Sequence, residues 1–129
     1  MANEINIQAV LTVQKYTPPL LASGSATGNQ TGAKFAQNTV NVTTSANSNL
    51  TIDGSANLGF IFVKNLDTNP WNSSNYVDIA LDNGSPPTQI VSKLHAGEFC
   101  LLRVKGSTNT LYARATGVAA DVQFSAAQV

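Results

Sequence analysis

The stretch GFIFVKNLDTNPWNSSNYVDIAL, residues 59–81, decides the fold class. In GFIFVKNL, Phe60 and Phe62 point one way and Ile61 and Val63 the other, so both faces are apolar. Such a strand is either central in a sandwich or covered by another chain. In SNYVDIAL, Val77, Ile79 and Leu81 share one face, and Tyr76 and Asp78 share the opposite one. Between the two runs lies DTNPWNSS, a loop of turn-forming residues that carries the single tryptophan, Trp71. Three roles are open to Trp71: a lid over one end of the core, an anchor onto a partner protein, or a platform for a sugar ring.

The same period-2 pattern extends outward, and no stretch has helical periodicity. In EINIQAVLTV, Ile5, Ile7, Ala9, Leu11 and Val13 fall on one face, the pattern of a half-buried strand. NTVNVTT and SNLTIDG read as two short strands around a turn at 45–48. DNGSPP is a turn signal, with Asn-Gly supplying positive φ. TQIVSKL and EFCLLRVK read as a hairpin across HAGE, and TLYARA and VAADVQFSA as a final pair, with Ala120, Val122 and Phe124 inward. The predicted fold is all-β: an antiparallel β-sandwich or jelly roll of about eight strands in one domain, 1–129. Residues 14–37 are the exception. TPPLLASGSATGNQTGAKFAQ is rich in Pro and Gly and is expected to form a long arm or loop that lies on a neighbouring subunit, through Leu20, Leu21 and Phe35.

Composition narrows the function. Charged residues make up 11% of the chain, against roughly 25% in an average domain, and seven basic residues balance seven acidic ones. The basic residues are scattered, so there is no electrostatic footprint for nucleic acid. A neutral, charge-poor surface suits a protein packed in an assembly. No apolar run approaches the length of a membrane span, and the N-terminus lacks the pattern of a signal peptide. The expectation is a protein made in the cytoplasm that binds neither membrane nor nucleic acid.

Candidate chemistry is sparse. Cys100 and His95 could form a nucleophilic pair, but Cys100 alternates with Leu102 and Val104 as a core residue does. Asp67, Asn69 and Asn72 could offer oxygen ligands to calcium, but they lack the spacing, central glycine and closing glutamate of a calcium loop. Seven acids with no evident pairing do not suggest glycosidase carboxylates, and GSATGNQTG lacks the Lys-Ser/Thr of a phosphate loop. No cofactor, metal or enzymatic activity is expected. Binding is the better reading, with Trp71, Tyr76 and Tyr112 as amphipathic aromatics beside Leu20, Leu21 and Phe35.

The motifs FVKNLD, NYVDIAL, KLHAGEFCLLRV, TLYARA and AADVQFSAAQV, in that order, resemble a group of small structural proteins of tailed bacteriophages. There a strand ends in Arg/Lys-Asn-Leu-Asp. An Asn-Tyr-Val strand, a Lys-x-x-x-Gly-Glu turn, a Leu-(aromatic)-Ala-(basic)-Ala strand and a final apolar strand follow. The resemblance covers residues 58–127 and, more weakly, 1–13, and it departs at the longer loop DTNPWNSS. It implies a virion protein of β-sandwich or jelly-roll type. The expected role is a capsid decoration or cement protein, a homotrimer that binds the major capsid protein. The alternative is a small tail or adhesion component with a carbohydrate-binding role.

Overall fold

The computed structural model describes residues 5–15, 17–28, 35–51, 59–68, 74–104 and 110–128. Ten strands lie among them, and the chain divides into two compact units, 1–31 and 32–129.

The first unit is a β-hairpin. Strand β1 (Ile5–Val13) pairs antiparallel with β2 (Leu20–Gly28), with Ile5 opposite Gly28 and Val13 opposite Leu20. The expectation of an arm or loop over 14–37 is therefore corrected. Leu20–Gly28 is a strand, and Phe35 opens the next one. LLASGSATG hides its strand because Ala, Ser and Gly carry little β-propensity. Pairing with β1 overrides that local preference.

The second unit is a β-sandwich. Its strands are β3 (Phe35–Val42), β4 (Ser48–Leu50), β5 (Phe60–Asn65), β6 (Tyr76–Ala80), β7 (Ile90–Leu94), β8 (Phe99–Arg103), β9 (Leu111–Thr116) and β10 (Ala120–Ala127). One antiparallel sheet has the order β3-β10-β5-β8, and the other β4-β9-β6-β7. Four pairs nest inside one another: β6 with β7, β5 with β8, β4 with β9 and β3 with β10. This unit is thus a double ribbon rolled so that successive strand pairs alternate between sheets.

This topology corrects two expected pairings. TQIVSKL and EFCLLRVK are not a hairpin, since β7 and β8 lie in different sheets. The same holds for β9 and β10, while the two strands expected around the turn at 45–48 are present as β3 and β4 and lie in different sheets. Short polar linkers can cross between sheets as readily as they can turn back, and the sequence carries no mark that separates the two. Where the chain crosses at 95–98, Gly97 takes φ of 77°, and the Glu98 carboxylate accepts from the His95 amide at 2.8 Å.

The core lies between the sheets. Val42, Ile61, Val63, Val122 and Phe124 come from one, and Leu50, Val77, Ile79, Leu94 and Leu111 from the other. Phe124 is the largest fully buried side chain. Leu81, expected inward, is exposed, because β6 ends at Ala80 after a register shift. Asn65 is the buried polar residue among those described. Its Nδ2 donates to the Leu94 carbonyl at 3.1 Å, and its Oδ1 accepts from the Asp67 amide at 3.0 Å. Asn65 therefore ties the end of β5 to the end of β7 in the opposite sheet.

Candidate functional site

The outward face of the β3-β10-β5-β8 sheet is unusual because much of it is apolar. Alternation sends Ile61 and Val63 of β5 into the core and leaves Phe60 and Phe62 on the outside. Register places Arg103 beside Phe60, Leu101 beside Phe62 and Phe99 beside Lys64. On the other flank Ala127 and Ser125 of β10 lie next to Phe60 and Phe62, and Phe35 of β3 lies next to Ala127. The Phe62 and Phe99 rings stack at 5.5 Å, and the Arg103 guanidinium sits 5.2 Å from the Phe60 ring centre. Phe99 is 63% exposed and Phe35 76%. A contiguous aromatic surface of this kind, rimmed by Lys64, Arg103, Gln37 and Gln123, has the composition of a protein-docking patch.

The outward face of the other sheet is polar. Asp78 stands in register between Lys93 of β7 and Arg114 of β9. One Asp78 oxygen is buried without a hydrogen bond, and desolvation raises the carboxyl above its ordinary value, with Lys93 opposing. The Lys93 ammonium lies 3.8 Å from the Tyr76 ring centre, and the His95 ring meets Tyr76 edge-on. Tyr112 sits four positions along from Tyr76 in register, roughly 13 Å away. One face of Tyr76 is thus already covered by a cation, which removes it as a stacking surface for a sugar.

The candidate residues named from sequence are dispersed. Leu20 and Leu21 lie on β2 of the hairpin, pointing to opposite faces. Phe35 joins the aromatic sheet face, while Tyr76 and Tyr112 share the polar one. Trp71 lies outside the described residues, as do Asn69 and Asn72. Phe60, Phe62, Phe99 and Leu101 were not singled out as site residues, although the double apolar pattern of GFIFVKN carries the signal.

The Cys100–His95 pair gains no support as a nucleophilic site. Cys100 packs against the core beside Val63, and burial pushes its thiol up, opposite to the shift that activates a nucleophile. His95 Nδ1 lies 3.2 Å from the Asn75 carbonyl and belongs to the turn. Among the described residues no group of three or more His, Cys, Asp or Glu could hold a metal ion. A cleft of about 290 Å³ is lined by Asn41, Leu66, Asp67, Thr68 and Asp121, and Asn41 Nδ2 already donates to Asp121 Oδ1 across 2.8 Å. No described helix is long and apolar enough to cross a membrane.

Compared with protein-family models, curated proteins and solved structures, the chain matches none.

Proposed function

We propose that this chain is a non-enzymatic structural protein of a virion, a capsid decoration protein that binds and stabilises the assembled shell of a tailed bacteriophage. The observation that carries the reading is the outward aromatic face of Phe60, Phe62, Phe99 and Leu101. A sandwich needs its inner faces apolar and gains nothing from an apolar outer face unless a partner covers it. The rim cations Lys64 and Arg103 favour a partner whose own apolar patch is flanked by acids. The major capsid protein is the partner this reading names, and the virion the location.

Three features lend further support. Numbering the sandwich strands one to eight gives the orders 1-8-3-6 and 2-7-4-5, which we read as a jelly roll, an architecture that recurs in capsid proteins. The motifs running from FVKNLD to AADVQFSAAQV resemble small phage structural proteins. The charge-poor surface suits close packing in a shell. A decoration protein that binds only the assembled shell stabilises it by mass action, and a homotrimer would add avidity. The polar face offers weaker grounds for the carbohydrate-binding alternative, since Lys93 occupies the Tyr76 ring.

The test is the composition of purified particles by gel stoichiometry and cryo-electron microscopy. A copy number comparable to that of the capsid subunit supports the reading. A handful of copies moves the protein to the tail, and absence overturns the virion assignment. Phe99→Glu should leave the sandwich folded and lower particle occupancy at least tenfold, the scale of one interface hot spot of about 2 kcal/mol. Unchanged occupancy would remove this face as the docking surface.

A further inference from the structure

The hairpin carries a second surface that the capsid reading does not use. Residues directly opposite in an antiparallel pair share a face. The register therefore collects Ile5, Ile7, Ala9, Leu11 and Val13 of β1 with Leu20, Ala22, Gly24, Ala26 and Gly28 of β2 on one face. Every side chain there is apolar or absent. The opposite face holds Asn6, Gln8, Thr12, Ser23, Ser25 and Thr27, interrupted by Val10 and Leu21. A slip of one residue would mix the two sets, so the register has a purpose only if the apolar face is covered. Leu11 is nevertheless 65% exposed and Leu20 59%. Among the described residues β1 and β2 pair only with each other. A lone two-stranded ribbon is marginal in water.

We infer that this face packs against the same face of a second copy of the chain. Two features of the hairpin select that occupant. Neither strand has a charged side chain, so like faces meet without repulsion and no charge code calls for a distinct partner. The face is also shaped to receive itself. Apart from Ala9, β1 is a row of bulky side chains, whereas from Ala22 to Gly28 β2 is a row of small ones. A Cβ built on Gly24 meets nothing within 4 Å, which leaves an open notch opposite Ala9. A two-fold rotation about an axis parallel to the strands sets the β1 ridge of one copy over the β2 trough of the other, with each Leu11 over the partner's Ala22, each Ile7 over the partner's Ala26 and each Ile5 over the partner's Gly28, an isologous contact. The ribbon is roughly 30 Å long, so its face alone makes a small interface, below the usual size of a permanent one. The association is correspondingly concentration-dependent. It stands apart from the capsid reading and survives that reading's failure.

Sedimentation of the full chain across a concentration series tests it. The wild type should pass from monomer to oligomer, and Leu11→Glu should weaken that association at least tenfold. Ser25→Glu, which adds the same charge on the polar face, should leave it unchanged. Circular dichroism spectra matching the wild type would show that both variants remain folded, and Ile7→Glu provides a second probe of the same face. A wild type that stays monomeric at the highest soluble concentration overturns the inference. So does an oligomer that neither Leu11→Glu nor Ile7→Glu disturbs, or one that Ser25→Glu disrupts equally.

Discussion

Asp82 organises the turn between β6 and β7 through a cluster of hydrogen bonds. Its carboxylate accepts from the amides of Gly84 at 3.2 Å, Thr88 at 3.0 Å and Gln89 at 2.6 Å, and from the Thr88 hydroxyl at 3.2 Å. The Asn-Gly reading of this turn is corrected, because Gly84 does not take positive φ. Glycine is needed there for space: a Cβ would stand 2.7 Å from Asp82 Oδ2 and 2.8 Å from the Pro86 carbonyl. The backbone donors, Gln89 first, hold the Asp82 carboxyl below its ordinary value of 3.8. A lowered native value stabilises the fold fully above pH 3.8, where the unfolded chain is also ionised. That stabilisation fades as pH falls through the native value. Asp82→Ala should therefore lower Tm near neutral pH, and the gap to the wild type should close below pH 3.8. A gap that stays constant with pH in thermal melts would show that the carboxylate charge is irrelevant to the turn. Asp78 carries the opposite sign: its raised value makes ionisation a penalty that is absent below pH 3.8.

At the scale of the element, β5 separates stability from recognition along a single strand. Ile61 and Val63 are fully buried, while Phe60 and Phe62 stand outside in an aromatic cluster with Phe99. Ile61→Ala should cost about 2–5 kcal/mol in a denaturant melt, because it opens a cavity in the core. Phe62→Ala, on the outer face, should cost about 1 kcal/mol or less in the isolated protein. Equal losses at the two positions would mean that the outer face is covered within the chain itself. The alternation of GFIFVKN made both faces legible in the sequence. Which face met the core was not, because Phe60/Phe62 and Ile61/Val63 are equally apolar. β2 was missed for the opposite reason: its small residues bury little and advertise nothing until β1 is set beside them.

At the scale of the molecule, the hairpin and the sandwich are separate compact units, and the buried core belongs to the second. Residues 32–129 expressed alone should then fold and melt in one cooperative transition, with the β-sheet signal of the intact chain. A broad, non-cooperative melt would show that the hairpin is required for the core. The sequence by itself determined the all-β class and the core residues Val77, Ile79, Val122 and Phe124, because alternation is a local property of one strand. Only the tertiary structure decided which strands pair and which faces look outward. Linkers such as HAGE cross between sheets here and are compatible in sequence with a hairpin. Pairing is settled instead by contacts between residues distant in the chain, as when Val122 of β10 meets Asn65 of β5. The aromatic patch forms the same way: Phe35, Phe62 and Phe99 share one surface because the rolled ribbon brings β3, β5 and β8 into one sheet.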